Sequence, residues 1–160
     1  MAELILMRHA AALPAAAGAS DFERPLSSRG RAAAVLAARR LSASGARVDR
    51  LLYSSARRTR ETASIVAREL ALDPAALHAL EELYAANPNT IRAAIQRNHA
   101  EANTLLVVGH NPGISDFGGE LIKGLSPEQL ATAAYWRVPL GADGWGLVTR
   151  GKAAQLRPAR

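Results

Sequence analysis

The stretch Leu4-Ile5-Leu6-Met7-Arg8-His9-Ala10 decides the fold class, because it joins a continuous apolar run to two strongly polar side chains. A short uninterrupted apolar run is typical of a strand in a parallel sheet that helices cover on both faces. Arg8 and His9 follow at the carboxyl end of this strand. Because α/β sheets bind ligands at that edge, the stretch predicts both a parallel sheet and the place of a site.

Two further segments repeat the arrangement. Residues 104–108 form a second apolar run, which is followed by Gly109-His110-Asn111-Pro112. Residues 51–53 lead more weakly into the basic segment 54–60. If the three runs are neighbouring parallel strands, two histidines and at least two arginines meet at one edge of the sheet. A cavity of that composition favours an anion as its ligand.

Helical patterns alternate with these runs, which predicts an α/β fold with a mostly parallel sheet. In the first helix, apolar residues at spacings of three and four place Leu36 and Leu41 on the buried face. The predicted helices cover residues 28–44 after a cap at Ser27 or Ser28, 57–72, the segment from a cap at Asn89 to residue 97, and 113–124. Two more strands are predicted over residues 133–138 and 146–149, around a turn at 141–144.

Length and composition predict one domain over residues 1–160. A chain of 160 residues with 49% hydrophobic residues can bury a full core. No apolar stretch approaches the length of a membrane span and no signal-peptide pattern is present, so we expect no membrane partner and a cytoplasmic location. The chain has no cysteine, which excludes disulfides, thiolate catalysis and cysteine-based zinc sites.

The net charge of +6 comes mostly from arginines that are scattered along the chain. Aromatic residues make up only 4% of the chain, too few for the stacking surfaces that single-stranded nucleic acids require. We therefore expect no nucleic-acid partner, although acidic or phosphorylated partners fit the charge.

The residue types at the predicted sheet edge suit phosphoryl transfer. A neutral imidazole such as that of His9 can attack phosphorus, while guanidinium groups neutralise the oxygens around it. The structural alternatives are a core histidine bonded to backbone for His9 and a turn histidine for His110. For any two of Arg57, Arg58 and Arg60, a solvated basic helix end is the default explanation, because the site needs only one of these side chains to turn inward.

Five short elements occur in a fixed order along the chain. They are Leu6-Met7-Arg8-His9-Ala10, Arg24-Pro25-Leu26-Ser27 with Gly30, Ser54-Ser55-Ala56-Arg57-Arg58-Thr59-Arg60-Glu61-Thr62, Glu82-Leu83-Tyr84 and Val108-Gly109-His110-Asn111-Pro112. In this order and spacing they resemble the signatures of the histidine phosphatase superfamily, also called phosphoglycerate mutase-like, and within it the short SixA-type phosphohistidine phosphatases. The resemblance covers roughly the whole chain and implies a three-layer domain with helices on both faces of the sheet.

The resemblance also implies roles for individual residues. His9 corresponds to the phosphorylated nucleophile, and Arg8, Arg58 and His110 correspond to the phosphate pocket. Arg58 rather than Arg57 matches the family's arginine, because it stands four residues after Ser54 and four before Thr62.

Two further positions match less firmly. Arg24 corresponds to a phosphate-contacting arginine of the short branch, and the alternative is a loop residue that pairs with Glu23 or with solvent. Glu82 corresponds to the proton donor of many members, and the alternatives are Glu81 or a plain surface role. Ala10 replaces the signature glycine, which raises the question of whether the backbone there needs a positive φ.

The function implied is that of a phosphatase without metal or other cofactor, acting through phosphohistidine. The expected partner is a protein that carries phosphohistidine or a small phosphate ester, since the chain is too short for the inserted segments of the longer members. A small-molecule phosphomonoesterase and an idle phosphate-binding module remain alternatives. A metallohydrolase with His9, His110 and Glu82 as ligands is the weakest one, because arginines would repel a dication.

Overall fold

The computed structural model describes residues 1–122, 124–125 and 128–150, and it contains one five-stranded sheet. The strands are β1 (Glu3–Arg8), β2 (Arg50–Ser54), β3 (Leu77–Leu80), β4 (Thr104–Gly109) and β5 (Tyr135–Pro139). Their order across the sheet is β3-β2-β4-β1-β5, in which only β5, at one edge, runs antiparallel to its neighbour. The three apolar runs of the sequence are therefore adjacent parallel strands, as predicted.

The two central strands bring the histidines together. All six residues of β4 and four of the six in β1 are buried, which explains their uninterrupted apolar composition. The register pairs Arg8 with Gly109, so that both strands end at the same level. The backbone N–H of His9 then donates to the carbonyl oxygen of Gly109, at 3.1 Å. His9 and His110 consequently leave the sheet side by side.

Helices cover both faces of the sheet, so the domain has three layers, as the resemblance implies. The helices are α1 (Ser28–Ala43), α2 (Arg57–Glu69), α3 (Pro88–Asn98), α4 (Gly113–Leu121) and α5 (Trp145–Thr149). On one face α1 and α2 pack against inward side chains of the strands such as Ile5 and Leu106. On the other face α3, α4 and α5 pack against the strand side chains that alternate with these, such as Leu6 and Leu105. No helix in the described part of the chain is long and apolar enough to cross a membrane.

Three predictions about individual elements are wrong. Residues 146–149 lie in the helix α5 and not in a strand, because Leu147 and Val148 bury their side chains against the cluster formed by α3 and α4. Leu36 is 54% exposed, since the buried stripe of α1 consists of Ala34, Ala37, Ala38 and Leu41. The cap of α3 is Asn87, whose side chain accepts from the N–H of Thr90, so that Asn89 already lies inside the helix.

Candidate active site

His9 lies at the carboxyl end of β1 and has one ring nitrogen tied to the backbone. Its Nδ1 is 2.7 Å from the carbonyl oxygen of Ala10, an atom that can only accept a hydrogen bond. Nδ1 therefore carries the ring proton, and Nε2 is unprotonated. The Nε2 atom accepts a hydrogen bond from Nε of Arg58 at 3.4 Å. This is the tautomer that a nucleophilic imidazole needs.

The surroundings of His9 keep its ring neutral. The side chain is buried, and this burial is the largest cause that lowers its pKa, to about 4. The positive charges of Arg58, Arg8 and Arg24 lower the pKa further, whereas the hydrogen bond with Ala10 opposes the shift. At neutral pH Nε2 of His9 consequently stays unprotonated.

Arg58 is the arginine of its segment that turns inward. It lies in the first turn of α2 and is buried, whereas Arg57 points outward and pairs with Glu61 at 3.0 Å. The helix start is anchored by Thr62, whose hydroxyl donates to the carbonyl oxygen of Arg58 and accepts from the backbone N–H of Ala10. The same hydroxyl thus ties the loop that follows His9 to the helix that carries Arg58.

His110 stands beside His9, with ring centroids 5.2 Å apart. Its Nδ1 is 3.3 Å from Nη2 of Arg58, a group that can only donate, so Nδ1 accepts in this state. Its Nε2 then carries the proton and donates to Oγ of Ser54 at 2.8 Å. Burial and the nearby His9 and Arg58 lower the pKa of His110 to about 3. His110 is a neutral residue that can donate or accept a hydrogen bond.

Arg8 offers hydrogen-bond donors at the same place. Its Nη1 donates to the carbonyl oxygen of Leu130 at 3.1 Å. Among the described residues no group accepts from its Nε, although that atom is buried. An unpaired buried donor costs about 1–3 kcal/mol, so an anion that reached this N–H would be favoured. Burial also lowers the pKa of Arg8.

A loop forms the outer wall of the cavity and brings in Asp21, which the sequence analysis did not single out. Oδ1 of Asp21 accepts from Arg24 and Oδ2 accepts from Arg58, both at 3.0 Å. Oδ2 also accepts from the hydroxyl of Tyr84 at 2.7 Å. These hydrogen bonds, from Tyr84 first and then from Arg24 and Arg58, hold the pKa of the Asp21 carboxyl well below its usual range. The one sequence signal for Asp21 was its position three residues before Arg24.

The ends of this loop are paired with each other. Ala12 forms an antiparallel bridge with Leu26, and the N–H of Leu13 donates to the carbonyl oxygen of Pro25 at 2.8 Å. A Cβ on Gly30 would overlap the carbonyl oxygen of Ala11, so only glycine allows α1 to approach the loop this closely. These contacts close the base of the loop, while residues 13–20 are exposed.

Arg24 and Glu82, the two less firmly matched positions, lie in different surroundings. Arg24 lines the cavity, with its Nε donating to the carbonyl oxygen of Leu13 at 2.8 Å and its Nη1 bound to Asp21. Glu82 is not among the residues that line the cavity, and its carboxylate pairs with Arg97 at 2.6 Å on the surface.

The alanine that replaces the signature glycine fits without strain. Ala10 is fully buried and is not one of the residues with positive φ. Its backbone N–H donates to Thr62 at 3.0 Å. The position therefore has no need of glycine in this chain.

These side chains surround one cavity of about 460 Å³. The residues that line it are Arg8, His9, Ala11, Ala12, Asp21, Arg24, Arg58, Tyr84, Ala85, His110, Asn111 and Thr132. Three arginines face a single carboxylate, so the cavity is net positive and suits an oxyanion. Within the described ranges no three His, Cys, Asp or Glu side chains are grouped so that they could hold a metal ion.

Comparisons with known proteins point to one family. The sequence model of the histidine phosphatase superfamily (branch 1) matches residues 4–120. An uncharacterized protein of Mycobacterium tuberculosis is 42% identical over 110 residues, which are 68% of this chain. The chain spans 65% of the length of that relative.

Solved structures agree in fold with this chain. The protein histidine phosphatase SixA in complex with tungstate superposes with a TM-score of 0.80 at 26% identity, over 98% of this chain and 95% of that one. SixA of Nakamurella multipartitia superposes with a TM-score of 0.76 at 29% identity, over 99% and 95% of the two chains. The architecture described above is therefore shared with SixA-type proteins.

Proposed function

The chain belongs to the histidine phosphatase superfamily, and we propose that it is a metal-independent phosphatase whose substrate is phosphohistidine on a protein. The observation that carries the proposal is the Nε2 atom of His9, which is neutral and unprotonated and faces the Nε of Arg58 at 3.4 Å. The similar SixA structure holds tungstate, a tetrahedral oxyanion with the shape of phosphate. A phosphoryl group bound in the cavity would lie among Arg8, Arg58 and His110.

In the first step, Nε2 of His9 attacks the phosphorus atom in line with the leaving nitrogen. The bond between Nε2 and phosphorus forms while the bond between phosphorus and the substrate's imidazole breaks. Because Nδ1 already holds a proton, the phosphorylated His9 ring carries a positive charge that partly offsets the charge of the phosphoryl group. The arginines stabilise the equatorial oxygens and do the work that Mg²⁺ does in other phosphoryl transfers.

The need of the leaving group for a proton distinguishes a phosphohistidine substrate from a phosphate ester. If the second nitrogen of the substrate's phosphoimidazole is protonated, its departure yields a neutral imidazole and no further proton is needed. An ester would leave as an alkoxide, which needs a general acid. In the cavity lining, Asp21 is held ionised and Glu82 is absent. The lining thus favours a nitrogen leaving group.

In the second step, water attacks the phosphorus and the bond to Nε2 breaks. The electron pair of that bond returns to Nε2, and both protons of the water stay with the released phosphate. His9 is thereby restored as the neutral tautomer with the proton on Nδ1. The outer wall leaves room for a large substrate, because the side chains of Asp21 and Arg24 are 51% and 31% exposed.

Turnover by the full chain tests this proposal. A protein that carries phosphohistidine is incubated with the enzyme beside a panel of sugar and nucleotide phosphates, with His9→Ala as the control for background hydrolysis. We expect phosphate release from the protein that depends on His9 and persists in EDTA. Loss of activity in EDTA that a divalent ion restored would contradict the metal-independent mechanism.

The other outcomes separate the alternative functions. A strong preference for one small ester would replace the proposal with a small-molecule phosphomonoesterase. Binding of phosphate without turnover of any substrate would indicate an idle phosphate-binding module. Either result would overturn phosphohistidine on a protein as the substrate.

A further inference from the structure

We propose that Asp21 is a positioning residue that aims Arg58 at the transferring phosphoryl group, and this inference rests on the proposed function. Asp21 lies on the outer loop, and it is the one carboxylate in the described lining of the cavity. A carboxylate beside an anion site is unfavourable by charge alone, so its presence calls for a specific cause.

The guanidinium of Arg58 is held by two different edges. The edge formed by Nε and Nη2 faces inward, to Nε2 of His9 at 3.4 Å and Nδ1 of His110 at 3.3 Å. The edge formed by Nη1 and Nη2 faces Asp21, with Nη1 donating to its backbone oxygen at 2.8 Å and Nη2 to its carboxylate at 3.0 Å. Because the guanidinium is planar and rigid, fixing the outer edge fixes the direction of the inner one.

Asp21 is itself held in place by its neighbours. The hydroxyl of Tyr84 donates to the same Oδ2 that accepts from Arg58, and Arg24 binds the other oxygen. The ring of Tyr84 packs edge-on against His110 and Phe22, with centroids 5.5 and 5.1 Å away. The carboxylate therefore has a set orientation, although half of the side chain is exposed. Asp21 acts through Arg58 and does not touch the reacting atoms.

A competing interpretation predicts the opposite effect of removing Asp21 on the binding of oxyanions. If Asp21 only filled the cavity as an internal anion, it would compete with phosphate for Arg58, and its removal would tighten the binding of oxyanions. If it positions Arg58, its removal weakens both oxyanion binding and turnover, even though the site becomes more positive.

The test compares Asp21→Asn and Asp21→Ala with Glu23→Gln. Glu23 lies in the same turn, is exposed and does not line the cavity, so its variant removes one negative charge from the same loop. Tungstate affinity is measured by calorimetry, and kcat and KM are measured with the phosphohistidine protein. We expect Asp21→Ala to weaken tungstate binding and to lower kcat by about tenfold each, with Asp21→Asn intermediate and the control unchanged.

A double-mutant cycle keeps the inference falsifiable if a single variant also loses stability. Asp21→Ala should have little further effect on tungstate affinity in an Arg58→Ala background, because the residue it positions is gone. Additive effects, or tighter tungstate binding by Asp21→Ala, would overturn the inference. If the wild-type chain turns over no substrate, the proposed function fails, while the tungstate cycle still decides the role of Asp21.

Discussion

The two walls of the cavity are built differently. The inner wall consists of His9, His110 and Arg58, which are buried and stand at the ends of β1 and β4 and the start of α2. The outer wall consists of Asp21 and Arg24, which lie on a loop and are partly exposed. Packing fixes the backbone positions of groups on regular elements, whereas groups on a loop depend on hydrogen bonds for their position as well as their orientation. Substitutions should therefore harm turnover most in the inner wall and least beyond the outer one.

The largest effect is expected from Arg58→Lys. Lysine keeps the charge but cannot face His9, His110 and Asp21 with two edges at once, so we expect kcat/KM to fall about a hundredfold. The measurement is steady-state turnover of the phosphohistidine protein. Arg57→Lys is the matched control, because Arg57 is the neighbouring arginine, is exposed and pairs with Glu61 outside the cavity. Equal losses of kcat/KM in both variants would show that an arginine of the inner wall matters no more than one on the surface.

The pH dependence of stability tests the burial of the inner wall. The pKa of His9 is about 4 in the folded protein and about 6.5 when the chain is unfolded. Between these values the unfolded state binds more protons, so stability is lost as the pH falls below 6.5. From pH 7 to pH 5 this contribution of His9 amounts to about 2 kcal/mol.

Urea denaturation of the wild type and His9→Asn, each at pH 7 and pH 5, measures this contribution of His9 to the free energy of unfolding. The variant should lose less stability than the wild type over that interval. Parallel losses in the two proteins would show that His9 titrates as an exposed histidine does.

A smaller effect is expected from Ser54→Ala. The Ser54 hydroxyl can accept from Nε2 of His110 or donate to it, so it suits both neutral tautomers of that ring. One ordinary hydrogen bond contributes about 1 kcal/mol, so kcat should fall about fivefold. Thr90→Ala is a control outside the cavity, because the hydroxyl of Thr90 donates to the side chain of Asn87 and Thr90 does not line the cavity. An unchanged kcat in Ser54→Ala would mean that the His110 ring keeps its position without this hydroxyl.

The smallest effect is expected from Glu82→Gln. Its carboxylate pairs with Arg97 beyond the outer wall, so kcat on a phosphohistidine protein should change by less than about twofold. The same variant should be assayed with an aryl phosphate and with an alkyl phosphate. A selective loss of activity on the alkyl ester would mean that Glu82 reaches the cavity and donates a proton.

Much of the inner wall could be predicted from the sequence. Buried parallel strands are uninterrupted apolar runs, so the exits at His9 and His110 were visible, as was their adjacency. The resemblance to the family's motif, aligned on Ser54 and Thr62, separated Arg58 from Arg57, and the structure turns Arg58 inward. Local pattern sufficed for the two histidines because they lie next to regular elements.

The outer wall could not be predicted in the same way. The hydrogen bond between Asp21 and Tyr84 joins residues 63 positions apart, and nothing local to either residue indicates the pair. The short helix α5 was mistaken for a strand because five residues are too few for a helical period to stand out. Leu36 was misplaced because the alanine-rich α1 offers several apolar stripes that differ by one residue.

The closed base of the outer loop lets the loop change in length and sequence during evolution without a change in the position of His9. Because Ala12 and Leu26 stay paired, the exposed residues 13–20, which precede Asp21, can be lengthened, shortened or exchanged at little entropic cost. His9 precedes this base and need not move when the loop does. This segment is therefore the part of the molecule in which a new binding preference can arise by insertion, and into which one can be grafted, while His9 keeps its place at the end of β1.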